Sequence, residues 1–122
     1  MSPTHHSPLA SAYLRFLQLA KVLESAPDGE AMDANETALL EAVVLSWHQG
    51  QPMTVREAIS LTELGSPATL HKRVTRLRQK DMLVAQSEPD DRRAKFLMPT
   101  AKALAYFERL GRSMQQVQFA KP

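Results

Sequence analysis

At 122 residues, with 43% apolar and 23% charged side chains, the chain has the length of one ordinary domain and a folded rather than disordered composition. The absence of cysteine excludes a disulfide framework, a thiolate zinc site, a cysteine nucleophile and a thiol redox switch together. The net charge of +2 is too small to draw a polyanion by bulk attraction, but it hides a segregation: −4 over residues 1–52, +3 over 53–100 and +3 over 101–122, with five basic and no acidic residues between 66 and 80.

Residues 1–8, with Pro3, His5, His6 and Pro8, read as a loose arm. From Leu9 the apolar positions 9, 13, 16, 20 and 23, joined by Ala12, Leu17 and Leu19, give a helix over 9–26 with a wide apolar stripe, stopped near Pro27-Asp28-Gly29. Such a stripe suits contact on more than one side, a second subunit included; it equally suits one more core helix. Asp33 and Glu36 have capping-box spacing and open a second helix whose apolar face is Leu39, Leu40, Val43, Val44 and Trp47. Gly50 can take the left-handed turn that ends it, and Pro52 breaks the chain.

A second capping box, Thr54 to Glu57, starts a short third helix through Val55, Ala58, Ile59 and Leu61. After the turn Thr62-Glu63-Leu64-Gly65, Ser66 is an N-cap and Pro67 sits at the first helical position, where its missing N–H costs nothing. The helix they open runs to about Lys80, with Leu70, Val74 and Leu77 facing inward. Met82–Ala85 and Ala94–Met98 read as two short strands around a charged tip, Ser87 to Arg93. Thr100 caps a final helix, 101–117, in which Leu104, Phe107, Leu110, Met114 and Val117 approach a heptad seam.

Two capped helices joined by a tight Gly-containing turn and followed by a charged hairpin make a helix-turn-helix with a wing, a mainly α architecture with a small β-hairpin. With Leu70, Val74 and Leu77 inward, the helix turns Ala68, Thr69, Lys72, Thr75, Arg76 and Gln79 outward, with His71 and Arg78 on one flank and Arg73 on the other. That face can enter a major groove, where Arg or Lys donates to guanine and Ala68 or the Thr69 methyl meets thymine methyls. Lys72, Arg76 and Thr69 are the candidates for base readout, Ser66 and Arg73 for phosphate, and Arg92 and Arg93 in the tip for a minor groove or phosphate. Any solvated helix also carries Lys, Arg and Gln, and any turn carries Asp and Arg. Here the order of the elements and the charge segregation favour the DNA reading.

The stretch from Met53 to Ala103 resembles the MarR-type winged helix-turn-helix regulators of bacteria. The likeness lies in Thr54-Val55-Arg56-Glu57-Ala58, Leu64-Gly65-Ser66-Pro67-Ala68-Thr69-Leu70, Arg76-Leu77, Leu83-Val84, the wing Asp90-Asp91-Arg92-Arg93, and Thr100 opening the next helix. The resemblance implies a homodimer joined through the first and last helices, 9–26 and 101–117, around a DNA-binding winged helix over 33–100. It further implies two recognition helices in successive major grooves of a pseudo-palindromic double-stranded operator. A small aromatic or phenolic effector between the dimer helices and the DNA-reading lobe is also implied. The sequence departs from the pattern at Asp81, where a glycine usually ends the recognition helix, at Arg73, usually aliphatic, and in the short region after Thr100.

Other sites are thinly supported. Trp47 and His48 are candidates to line an effector cavity, against the plainer reading of one core and one surface residue. The four histidines fit no metal-binding spacing, and no nucleophile elbow, phosphate loop or catalytic carboxylate pair is present, so neither enzyme activity nor a cofactor is expected. No apolar run approaches the ~18 residues of a membrane span and no signal-peptide pattern opens the sequence, which places the expected protein in the cytoplasm without a membrane partner. A winged helix acting as a protein-interaction adaptor, without an operator of its own, stands as the alternative.

Overall fold

The computed structural model describes residues 7–24, 32–88 and 90–119. The chain divides into two compact units, residues 32–104 and residues 1–31 with 105–122. The expected break of the first helix at Pro27-Asp28-Gly29 lies outside the described residues.

In the unit of residues 32–104, Asp33 and Glu36 form the expected reciprocal box at the start of α2 (Ala34–His48). The Glu36 amide donates to Asp33 Oδ1 at 2.7 Å and the Asp33 amide to Glu36 Oε1 at 3.0 Å. The same device, Thr54 with Glu57, opens α3 (Val55–Ile59). The helix stops at the Ser60 cap, two residues before the apolar pattern would suggest: Leu61 already belongs to the turn, its amide reaching back to Ala58 at 3.4 Å. Helix α4 (Pro67–Gln79) begins at Ser66 and Pro67 and ends at a Lys80 cap. Asp81 follows with φ +59°, the left-handed conformation in which Asp replaces a glycine, and Gly50 takes φ +83° after α2.

Strands β1 (Leu83–Glu88) and β2 (Asp91–Pro99) pair antiparallel, Leu83 facing Pro99 and Gln86 facing Phe96, with an irregularity between Ser87 and Glu88. Both strands run further into the charged tip than turn composition suggests, because ladder hydrogen bonds override the turn preference of Asp and Ser. A pairing that periodicity does not reveal joins them: the Leu97 amide donates to the Met53 carbonyl at 2.8 Å, and Thr54 bridges Phe96. The residue that caps α3 is thereby tied to the wing.

Helices α2 and α3 pack on α4, and the strands close the same core. Leu39, Leu40 and Val43 of α2, Ala58 of α3, Leu70 and Leu77 of α4 and Leu97 of β2 are fully buried. Each large one contributes about 1.5–3 kcal/mol by leaving water, and truncating Leu70 or Leu77 to alanine would cost about 2–5 kcal/mol. The inward face read from the sequence, Leu70, Val74 and Leu77, is the face that is buried.

The unit of residues 1–31 and 105–122 holds α1 (Pro8–Glu24), capped by Ser7 through a 3.0 Å bond from the Ala10 amide, and the greater part of α5 (Ala101–Phe119). Leu9, Tyr13, Leu14 and Val22 of α1 are exposed, Leu9 at 83%. In α5 the buried stripe is Ala103, Tyr106, Ser113 and Val117, while Leu104 and Met114, expected on the apolar seam, are 42% and 58% exposed. Two apolar stripes overlap on α5, and only one is covered within the chain.

Candidate nucleic-acid interface

Helix α4 is held at both ends and along its buried side, which leaves one long face to solvent. At its start the Ser66 hydroxyl accepts from the Thr69 amide at 3.3 Å and donates to Thr69 Oγ1 at 2.9 Å. The Leu70 amide reaches the Ser66 carbonyl at 2.9 Å. Pro67 has no N–H, so the backbone donor left open in this first turn is that of Ala68. At its end the Lys80 carbonyl accepts from Lys102 Nζ at 2.9 Å, and the Asp81 carbonyl from the Thr100 hydroxyl at 2.5 Å. Thr100 also caps α5, accepting from the Ala103 amide at 3.1 Å.

Along the open face the candidates differ in how free they are. Lys72 and Arg76 are exposed and have no hydrogen-bond or ion-pair partner among the described residues. Thr69 is half-buried, and its hydroxyl oxygen already accepts from Ser66. The Thr75 hydroxyl is turned into the helix, on the His71 carbonyl at 3.0 Å. Arg73 is half-buried, with Nη1 on the Leu64 carbonyl at 2.9 Å, so its guanidinium braces the turn before α4. The close approach depends on Gly65, whose φ is +151°; a Cβ there would lie 3.3 Å from Arg73 Nη1. An aliphatic residue at position 73 has no such donor.

These side chains line an open groove of about 450 Å³ that takes in Thr69, His71, Lys72, Arg73, Thr75 and Arg76 of α4, together with Asp33. Asp33 was legible only as a helix cap; nothing local in the sequence places it against residues more than thirty positions further on. Ser66 and Ala68 sit exposed at the N-terminal end of the same helix. The backbone of Arg92 and Arg93 lies in β2, but their side chains are outside the described ones, and residue 89 is outside the described residues altogether. Trp47, half-buried, and His48, exposed, lie at the far end of α2 from Asp33, about 20 Å along the helix, and take no part in the groove.

No family model and no curated protein matches the sequence. Solved structures do. A MarR-like transcriptional regulator from Thermotoga maritima superposes with a TM-score of 0.63 at 19% identity, covering 90% of this chain and 72% of that one. A Staphylococcus aureus MepR mutant bound to an oligodeoxyribonucleotide gives 0.63 at 14% identity, over 90% and 75%. The chain has the MarR-type winged-helix fold. Staphylococcus aureus MarR, in complex with salicylate and kanamycin, gives 0.57 at 21% identity, over 88% and 67%. Within this fold α3 and α4 are the helix-turn-helix and β1–β2 the wing. Among the described residues no group of three His, Asp or Glu side chains is placed to hold a metal ion, and no helix is long and apolar enough to cross a membrane.

Proposed function

We propose that this protein is a sequence-specific DNA-binding transcriptional regulator, a non-enzyme of the cytoplasm that works as a homodimer on a pseudo-palindromic operator. The observation that carries the reading is the division of α4. Leu70, Val74 and Leu77 are buried, while Lys72 and Arg76 stand exposed along an open groove, unpaired among the described residues. Lys72 and Arg76, with Thr69 and Ala68, read base edges. The Ala68 amide, with Ser66 beside it, meets a phosphate at the helix N-terminus, where the dipole favours an anion. Arg73 keeps N–H groups beyond the one on Leu64 for a phosphate, and Arg92 and Arg93 serve the wing. A small aromatic or phenolic effector modulates binding, a role for which Trp47 and His48 remain the candidates. The salicylate held by the Staphylococcus aureus protein of like fold supports that reading.

The test is fluorescence anisotropy with a duplex from the region upstream of the protein's own gene, against an unrelated duplex, between 50 and 200 mM salt. Neutralising ~6 phosphates should lower affinity on the order of a thousandfold across that range. Preference for the upstream duplex with a steep salt slope supports the regulator. Absence of binding to either duplex at low salt overturns it in favour of a protein-interaction module.

A further inference from the structure

In the groove along α4, three cationic side chains, Lys72, Arg73 and Arg76, share the lining with one carboxylate, Asp33, brought there by another helix. That carboxylate is fixed in position. Its Oδ1 accepts from the Glu36 amide at 2.7 Å, and the Asp33 amide is held in turn by Glu36 Oε1. Among the described residues Asp33 forms no ion pair with a groove cation. The cap itself does not require a charge: a neutral asparagine oxygen caps a helix as well as an aspartate does. The charge also favours the N-terminal end of the α2 dipole, a contribution that does not depend on DNA, and it stands where a polyanion is to be bound.

We propose that Asp33 is a specificity-determining residue of the α4 groove, lowering affinity for DNA of arbitrary sequence more than for the cognate site. The inference rests on the reading of α4 as a DNA-binding helix. A carboxylate beside the groove has only acceptors to offer. It repels a phosphate oxygen or a guanine edge that comes to face it, and it is satisfied by an amino edge of cytosine or adenine. Registers that bring phosphate or guanine against Asp33 are penalised, and those that present an amino group are not. Discrimination then arises from the rejected arrangements rather than from extra attraction in the accepted one. Before Lys72 and Arg76 meet base edges, their charge draws the phosphates of any duplex alike, so a fixed acid among them makes that attraction conditional on what lies opposite.

The variant Asp33→Asn keeps the cap and removes the charge. Two labelled duplexes serve as probes: one of randomised sequence, and one selected by the wild-type protein from a random pool. The side-chain amide of the variant has both an acceptor and a donor, so it should bind the randomised duplex about 3- to 10-fold more tightly, the scale of one like-charge contact in a partly screened groove. Binding to the selected duplex should change by less than about 2-fold, so the ratio between the two falls. A melting temperature lowered by no more than a few degrees, the share of the lost charge at the α2 dipole, establishes that the cap survives. Equal tightening on both duplexes, or no change on either, overturns the inference while leaving the DNA reading intact. Failure of the wild-type protein to bind duplex or to enrich any sequence overturns the DNA reading itself.

Discussion

Lys80, at the C-terminal cap of α4, donates to Glu36 Oε1 in the first turn of α2 across 2.8 Å, with 18% of the lysine side chain and 2% of the glutamate exposed. The same oxygen accepts from the Asp33 amide, so one carboxylate closes the α2 capping box and anchors the end of α4. The partners are unequal. A lysine freed from Glu36 can extend its stem to water, whereas the glutamate has no path out, and its Oε2 is already buried without a partner. Lys80→Met should therefore cost more, about 2–4 kcal/mol, than Glu36→Gln, about 1 kcal/mol, which keeps an acceptor for both donors. Urea unfolding of the two variants and their combination measures this, and the double variant should lose less than the sum. An equal loss from both singles would contradict the asymmetry.

Arg73 and Gly65 form a second such unit. With φ at +151°, position 65 admits a side chain only under strain, and a Cβ would press on the guanidinium that holds the Leu64 carbonyl. Gly65→Ala should lose about 1–3 kcal/mol. Arg73→Leu, which removes the donor to the Leu64 carbonyl, should loosen the turn, cost about 0.5–1.5 kcal/mol of stability and weaken duplex binding. A Lys72→Ala variant separates the effects, since it removes a cation without touching the turn. If Arg73→Leu and Lys72→Ala give the same salt slope and the same protection of the Leu64–Ser66 amides in hydrogen exchange, the bracing role is wrong.

Asp81 holds a conformation that favours glycine, φ +59°, while its carbonyl receives the Thr100 hydroxyl. Asp81→Gly should raise stability by about 0.5–1 kcal/mol, because relief of the left-handed strain exceeds the extra chain entropy of glycine. Thr100→Val acts in the opposite sense, removing both the bond to Asp81 and the cap on the Ala103 amide, for a loss of about 1–2 kcal/mol. Thr100→Ser should recover most of it. Thermal unfolding followed by circular dichroism reads all three changes.

How far the sequence speaks for the structure depends on the separation of the interacting groups. The caps at Asp33, Thr54, Ser66 and Thr100 are relations between residues three positions apart, and each is present. The inward face of α4 follows from a helical period that the core enforces. The Glu36–Lys80 pair joins residues 44 apart, and Lys102 meets the Lys80 carbonyl across 22, distances at which composition and periodicity say nothing. The placement of Asp33 in the α4 groove belongs to the same class. On α5 the limit is different: Leu104 and Met114 share a legitimate apolar stripe, but the period alone does not tell which of two overlapping stripes the chain covers itself.

Leu9, Tyr13, Leu14 and Val22 on α1, with Met114 on α5, are more than half exposed, a surface that a lone soluble chain would be expected to hide. The proposed homodimer, joined through these helices, would cover it. Light scattering should give twice the 13.6 kDa chain mass at micromolar concentration, and the Tyr13→Glu, Leu14→Glu double variant should give the chain mass with its helicity intact. Two half-sites held on one dimer act at high effective concentration, so the monomeric variant should bind a two-half-site duplex roughly 100-fold more weakly or worse. On a single half-site it should bind like one subunit of the wild type, because the α4 groove is untouched. A wild-type protein that remains at chain mass at tens of micromolar would overturn the dimer, and the exposed leucines of α1 would then need another partner.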